Sequence, residues 1–473
     1  MSSKKELIYI LRKTKKAHYI GLLIDPALVN LMEGRIMRRE DLPFGQEVIE
    51  SYIKRGFFKT HEAISVTNSF WRRRYRCERC FNEEQRKFIH FYCAKCEQTC
   101  TYCRHCIVMG RISSCTQLLT WGRSFFRALK KHQFNWAGTL TKLQQQASLE
   151  LASSIMNKRS HLLHAVCGAG KSEILFQPIY RALQKGQRIC IATPRTDVVL
   201  ELAPRLQQVF PTTVIHALYG GAQNQHGYAQ LVIATTHQLY RFVDAFDVMI
   251  VDEADAFPYR FDEVLQKAVY KAKKKDAPVA FVTATPDAKL LQICEGYSFI
   301  SKRYHDYPLP IPRFQPLWGY KQHLKKGKLP KPLQHWTEQQ IIAKKPFLIF
   351  FPTIEMLEQA HSLFQQLDTN ILAVHAEDPT RKEKVQQLRN EEILGLLTTT
   401  ILERGITIAN LQVAVVGAES PIFTADALIQ IAGRVGRSEL YPTGDVVFFY
   451  HGISLEMDLA KREILRLNEV SNE

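Results

Sequence analysis

The chain has 473 residues, 46% of them hydrophobic and 23% charged, which predicts two to four domains with ample core and excludes a disordered or fibrous protein. There are 63 Lys+Arg against 46 Asp+Glu, a net charge of +17, and residues 1–135 carry +14 of it. A polyanionic partner, nucleic acid or an anionic membrane face, is therefore expected at the front of the chain.

Residues 1–70 mix short apolar runs with basic residues, show no motif, and read as an N-terminal basic region. Their start, MSSKKELIYILRKTKK, lacks the apolar stretch of a signal peptide. No apolar run of about 18 residues follows, so an intracellular protein without a transmembrane helix is expected.

Residues 71–122 form a Cys- and Arg-rich module. Seven of the 11 cysteines fall between Cys77 and Cys106, with Cys115 nearby. Cys167, Cys190 and Cys294 sit in apolar or glycine-rich surroundings and read as small core residues. Cys77-x2-Cys80 and Cys103-x2-Cys106 each make a tight turn, and four such thiolates enclose a tetrahedral Zn²⁺. Cys93-x2-Cys96 and Cys100 lie between them, so seven candidates remain for one site or two. Trp71, Arg72, Arg73, Arg74, Tyr75, Arg76 and Arg79 set basic groups beside aromatics, a pattern suited to stacking single-stranded bases.

Apolar residues at helical spacing in LTKLQQQASLELASSI predict a helix. Short β-rich runs then alternate with helical segments: HLLHAV, RICIAT, TVIHAL, LVIATT, VMIVDE and VAFVTAT. This alternation predicts a parallel sheet covered by helices over 123–302. A stretch rich in Pro, Lys and aromatics, 303–335, reads as a connector. FLIFFP, NILAVH, LGLLTTT, VAVVGA and DVVFFY predict a second α/β lobe over 336–473.

Two motifs carry the chemistry. Ala165-Val-Cys-Gly-Ala-Gly-Lys-Ser172 follows a strand and opens a helix, the setting of a phosphate-binding loop. Gly168, Ala169 and Gly170 let backbone N–H groups close around phosphate, Lys171 reaches the β- and γ-phosphates, and Ser172 holds Mg²⁺. Ala165 stands where the usual first glycine would be. VMIVDEAD ends a buried strand in carboxylates: Asp252 is placed to hold the same Mg²⁺ and Glu253 to orient and deprotonate the attacking water. Together they predict a nucleoside triphosphatase that uses ATP and Mg²⁺.

Over about 140–450 the chain resembles superfamily 2 helicases and translocases, which implies two RecA-like lobes. The resemblance implies that Gln144 reads adenine, and that Thr193-Pro194-Arg195, Thr235-Thr236 and Thr400 touch the nucleic-acid backbone. It also implies that Thr283 and Thr285 couple hydrolysis to lobe movement together with Gly405 and Gln430, and that Arg434 and Arg437 are arginine fingers. A finger stabilises charge on the transferring phosphoryl group, an effect of about 10³–10⁵ in rate in related chemistry.

With the cysteine module ahead of the motor, the set CERC, TYCRHC, HAVCGAGKSE, ATPRTDVVLEL, FDVMIVDEADAFPY, TTTILERGIT and LIQIAGRVGRS is similar to the ComFA family of late-competence DNA-uptake ATPases. That resemblance implies Zn²⁺ ligation by Cys77, Cys80, Cys103 and Cys106, with Cys93, Cys96 and Cys100 outside the pattern. It further implies an ATP-driven motor on single-stranded DNA at the cytoplasmic face of the membrane, with the channel ComEC, ComFC and DprA as partners. The alternatives are a PriA-like restart helicase, whose cysteines lie inside the second lobe, and an RNA helicase, whose sixth motif reads differently from Gln430-Ile-Ala.

Overall fold

The computed structural model describes residues 25–69, 72–123, 127, 129–222, 227–404 and 407–470. Residues 1–24 of the basic N-terminal stretch, Trp71 and Gly405 lie outside the described residues.

Seven short strands come first: β1 (Ile36–Arg38), β2 (Phe58–Glu62), β3 (Ile64–Ser69), β4 (Arg72–Cys77), β5 (Phe88–Cys93), β6 (Gln98–Cys103) and β7 (Gln117–Trp121). β7 lies between β1 and β2 in an antiparallel sheet, while β3–β4 and β5–β6 are hairpins. The helix Pro26–Met32 starts where the Asp25 carboxylate accepts the Ala27 N–H at 2.8 Å and Pro26 presets the first turn. It packs Leu28 and Met32 on Phe57, Phe58 and Leu119, together with Ile49 and Tyr52 of the helix Gln46–Lys54. Through β7, residues 36–62 and 117–121 share one sheet.

Seven more strands form the first large sheet: β8 (His161–Ala165), β9 (Ile189–Thr193), β10 (Ile215–Leu218), β11 (Leu231–Thr235), β12 (Val248–Asp252), β13 (Val279–Thr283) and β14 (Gly296–Ile300), in the order β10-β11-β9-β12-β13-β8-β14. The pairs from β10 to β13 are parallel. β9, β11 and β13 are buried at every residue, which is why they read as unbroken apolar runs rather than alternating ones.

The second sheet has β15 (Arg313–Pro316), β16 (Phe347–Phe350), β17 (Ile371–Val374), β18 (Gly395–Thr398), β19 (Gln412–Val416) and β20 (Val446–Tyr450), in the order β15-β20-β19-β16-β18-β17, with parallel pairing throughout. Two parallel α/β sheets behind a cysteine module is the predicted class. The stretch 303–335 differs from a linker. It supplies edge strand β15 and the helix Tyr320–Lys325, and Leu317, Tyr320, Leu324 and Leu333 enter the core with Trp336 and Phe347.

Two compact units result. One takes the chain up to Thr139 with Ser148–Leu163 and Ile174–Ser298; the other takes Leu140–Ala147, His164–Glu173 and Phe299–Glu473. The phosphate loop thus groups with the C-terminal sheet, for reasons its hydrogen bonds make plain below.

Within the first unit the cysteine module shares its core with the parallel sheet. Cys77, Cys80, Cys103, Cys106 and Phe88 are buried in the same cluster as Leu239, Phe242, Phe246 and Leu265. The buried Lys271 ammonium donates to the Tyr240 carbonyl at 3.0 Å and to the Arg79 carbonyl between the two module cysteines. Gly34 carries φ +69°, and a Cβ there would lie 2.6 Å from Ala245 Cβ, so glycine lets the N-terminal segment approach the motor sheet.

Candidate nucleotide and metal sites

The phosphate loop leaves β8 and ends at Lys171, the first residue of the helix Lys171–Gln184. Gly168 and Gly170 hold φ of +82° and +72°, which keeps the loop open for an anion at the helix N-terminus. A Cβ on Gly170 would lie 2.5 Å from Gln144 Nε2. Gln144 is buried, donates to the Ala169 carbonyl at 2.8 Å, and accepts the Thr141 N–H at 2.8 Å. Its amide therefore braces the loop itself, and reading adenine would exchange these bonds.

Residues from the C-terminal half of the chain hold the same loop within the second unit. The Cys167 thiol donates to Gln430 Oε1 at 3.1 Å, and the Tyr304 N–H donates to the Gly168 carbonyl at 3.1 Å. Arg303, 2% exposed, donates to four carbonyls: Cys167 at 3.3 Å, Gly436 at 2.8 Å, Gly433 at 3.2 Å and Val435 at 2.6 Å. Burial and the neighbouring Arg437 charge push its pKa down to about 10, still protonated at neutral pH. One guanidinium thus joins the phosphate loop to the Gly-Arg-Val-Gly-Arg turn.

That turn follows the helix Ala425–Ala432. Arg434 is buried and donates through Nε to the Glu403 carbonyl at 2.8 Å; Arg437 donates to the Gly433 carbonyl at 3.0 Å. Gly433 comes so close to the loop that an added Cβ would lie 2.5 Å from Cys167 Cβ. Thr400 is half-buried and opens a helical turn directly after β18.

In the first unit the acidic run leaves β12. Asp252 Oδ1 accepts the Glu253 N–H at 2.9 Å, and Glu253 sits at φ +53°, a conformation uncommon for a residue with a side chain. Glu253 Oε2 is buried with no hydrogen-bond partner among the described residues. A carboxylate oxygen in that state has a lone pair to offer a cation or a water. Within the first unit the donors at this strand end are carboxylate oxygens, the ligand type that a hard cation such as Mg²⁺ takes.

Asp255, two residues on, accepts Thr283 Oγ1–H at 2.5 Å and Thr285 Oγ1–H at 2.8 Å. The acidic run and the Thr-Ala-Thr turn after β13 are therefore locked together by both hydroxyls. The proposed backbone-contact residues end strands on this sheet. Thr193 closes β9, with Pro194 and Arg195 half-buried beyond it, and Thr235 closes β11. Thr193 Oγ1 accepts the Arg195 N–H at 3.5 Å, Arg195 pairs with Asp197 at 3.9 Å, and Thr236 Oγ1 is buried with no hydrogen-bond partner among the described residues.

The cysteines separate into two groups of four. The sulfurs of Cys77, Cys80, Cys103 and Cys106 lie within 4.8 Å of one another. Cys77–Cys106 is 3.8 Å and Cys80–Cys103 is 3.7 Å, against the about 3.8 Å that a tetrahedral ion with 2.3 Å bonds to sulfur requires. These four residues fit zinc. Arg79 donates to Cys106 Sγ at 3.0 Å and to the carbonyls of Cys106, Met109 and Gly110, an outer-shell cation beside the thiolates. This corrects the expectation that Arg79 belongs to a strand-binding patch: it is buried, and both its terminal nitrogens donate inside the module. Arg73, Arg74 and Arg76 are exposed. The second group is Cys93, Cys96, Cys100 and Cys115.

Sequence reasoning missed Arg303, which sits in the supposed connector, and the Thr283–Asp255–Thr285 lock. An arginine three residues past a strand end is the local sign of the first.

The chain matches three family models: the competence protein ComFA N-terminal domain over residues 17–120, the DEAD/DEAH box helicase domain over 141–293, and the helicase conserved C-terminal domain over 333–439. It is 43% identical to competence protein ComFA of Bacillus subtilis over 448 residues, covering 94% of this chain and 96% of that relative. It is 37% identical to competence protein ComFA of Streptococcus pneumoniae, covering 80% and 90% respectively. In fold it is similar to S. cerevisiae Dbp5 bound to RNA and ADP BeF3, with a TM-score of 0.53 at 15% identity over 70% of this chain and 88% of that one. An ATP-hydrolysing superfamily 2 motor with this N-terminal domain ahead of it is a family signature, and the chain belongs to the ComFA family.

Proposed function

We propose that this chain is an ATP-driven translocase that engages single-stranded DNA and draws it into the cell during competence. The observation that carries the reading is the match to both helicase domain models in the same chain as the ComFA N-terminal domain. Lys171 and the N–H groups of Gly168, Ala169 and Gly170 bind and orient the triphosphate, and Gln144 braces the loop and meets the base. Ser172 and Asp252 are the residues that would hold Mg²⁺, which would neutralise phosphate charge. Glu253 accepts the proton of the attacking water through its unpartnered oxygen, and Arg434 and Arg437 stabilise the developing charge. Asp255 passes the state of the acidic run to Thr283 and Thr285, while Gln430, with Gly405, passes that of the phosphate loop to the C-terminal sheet. Thr193, Pro194, Arg195, Thr235, Thr236 and Thr400 face the DNA backbone.

Zn²⁺ on Cys77, Cys80, Cys103 and Cys106 fixes the module against the motor core and performs no chemistry. The family resemblance supplies ComEC, ComFC and DprA as partners and the cytoplasmic membrane face as the working place. Among the described residues no helix is long and apolar enough to cross a membrane, so attachment there runs through partners or the basic front.

ATP turnover by the full chain tests the reading, with no nucleic acid, single-stranded DNA, duplex DNA and RNA compared at one salt concentration, because phosphate contacts are salt-sensitive. Stimulation by single-stranded DNA above the others, abolished by Lys171→Ala, is expected. Stimulation by RNA alone, or by forked duplex alone, would replace it with an RNA helicase or a restart helicase.

A further inference from the structure

The second group of cysteines is built like the first. Cys77-x2-Cys80 is followed by Phe81 at φ +61°, whose N–H donates to the Cys77 carbonyl at 2.7 Å; Cys93-x2-Cys96 is followed by Glu97 at φ +52°, whose N–H donates to the Cys93 carbonyl at 2.8 Å. The same turn thus occurs twice, each with a non-glycine residue in the left-handed region right after its second cysteine.

The other two members are placed by the hairpin. In β5–β6, Phe88 faces Cys103 and Phe91 faces Cys100. Residues three apart on a strand project from opposite faces, so Cys103 joins the first group and Cys100 the second. Cys115 sits in a turn closed by Thr116 N–H to the Ser113 carbonyl at 2.9 Å. That turn is tied to β6 twice, by Ser114 N–H to the Thr101 carbonyl at 2.8 Å and Thr101 N–H to Ser114 Oγ at 3.1 Å.

The four sulfurs converge within 4.8 Å, with Cys93–Cys115 at 3.7 Å and Cys96–Cys100 at 3.3 Å. Both separations exceed the about 2.05 Å of a disulfide. Four soft sulfur donors around one point select zinc or an iron–sulfur centre.

We propose that Cys93, Cys96, Cys100 and Cys115 hold a second tetrahedral zinc ion, so that each chain carries two. On binding, the four thiols release four protons to solvent and four S–Zn bonds form, leaving the site with a charge of −2. The ion ties the tip of the β5–β6 hairpin to the turn that leads into β7, the central strand of the N-terminal sheet. All four ligands of the first site are buried, whereas Cys96 and Cys115 are half-buried. The second ion is therefore the one that thiol reagents reach first.

The test is metal stoichiometry of the full-length chain, purified under reducing conditions from zinc-supplemented cells. Elemental analysis is expected to give two zinc per chain, falling to one in Cys96→Ser and in Cys115→Ser. Titration with a mercurial and a zinc-sensitive dye is expected to release two equivalents in two phases, the faster absent from Cys115→Ser. Should both variants prove insoluble, alkylation of the native wild-type chain decides: Cys93, Cys96, Cys100 and Cys115 stay unmodified until a chelator is added. One zinc per wild-type chain, iron in place of the second ion, a Cys93–Cys115 disulfide in alkylated peptides, or free alkylation of these four thiols without chelator overturns the proposal.

Discussion

Arg303→Ala removes a guanidinium that is 2% exposed and serves four carbonyls, one in the phosphate loop and three in the Gly433–Gly436 turn. A hydrogen bond from a charged donor contributes about 1.5–3 kcal/mol, and buried acceptors left without a partner cost about 1–3 kcal/mol each. The four share one donor group, so they do not add. The Tyr304–Gly168 and Cys167–Gln430 bonds also survive the change. A local loss of about 3 kcal/mol is the reasonable sum, equivalent to about 10² in an opening equilibrium. Hydrogen exchange in the full chain reads this directly, because opening free energies differ from segment to segment. Amides of Val166–Ser172 and Gly433–Arg437 are expected to exchange about 10²-fold faster, with those of β16 unchanged. ATP kcat should fall at least tenfold, because loop and arginine turn no longer move as one. Arg303→Lys keeps the charge but offers donors from a single point, so it should fall between the two. Exchange within twofold of wild type, with unchanged kcat, would refute the assignment of Arg303 as the clasp.

Gly433→Ala drives a methyl to 2.5 Å from Cys167 Cβ; ATP turnover should drop more than tenfold and recover in part when Cys167→Gly removes the opposing atom, and equal activity of the single and double variants would count against the contact. Thr283→Ala and Thr285→Ala each strip a hydroxyl donor from buried Asp255, costing about 1–2 kcal/mol. Both should retain basal ATP turnover while losing most of its stimulation by single-stranded DNA; full stimulation in the double variant would sink the coupling role. Burial, then the Arg35 and Arg188 charges, push the His216 pKa down to about 4. The unfolded chain takes up this proton near pH 6.5 and the folded chain only near 4, so stability is complete above 6.5 and declines as pH falls through that window. Discounted for solvent screening, the loss between pH 7 and 5 is about 1–2 kcal/mol. His216→Leu should remove that part of the pH dependence in urea unfolding, and parallel wild-type and variant profiles would contradict it.

How much of this was legible depended on where each element sits. β9, β11, β12, β13, β16, β18, β19 and β20 are flanked on both faces by protein, so their sequences are unbroken apolar runs that mark strands without ambiguity. β2 reads FKTHE with only Phe58 buried, and β1 spans three residues; neither shows a period, so the N-terminal sheet was invisible and residues 1–70 looked featureless. β15 was hidden by composition. Arg313–Pro316 ends in proline and lies in a Pro- and Lys-rich stretch, but it occupies a sheet edge, where a missing N–H costs little.

The sites divide along a different line. A motif contiguous in sequence declares itself because backbone geometry and side chains come together: a glycine pair before Lys171, or carboxylates at the end of β12. Contacts between distant segments do not, so Arg303 and the Asp255 lock could be found only in three dimensions. The cysteines fall between these cases. Cys100-x2-Cys103 has the same spacing as Cys77-x2-Cys80, Cys93-x2-Cys96 and Cys103-x2-Cys106, yet it does the opposite. In a turn the spacing brings two thiols to one ion; in a strand it sends them to opposite faces. What separates the cases is the intervening pair. Thr101-Tyr102 are strong strand formers, whereas Ala94-Lys95 and Glu78-Arg79 are not. Two interleaved groups of cysteines, one taking Cys100 from within β6 and the other Cys103 from its end, follow from that difference.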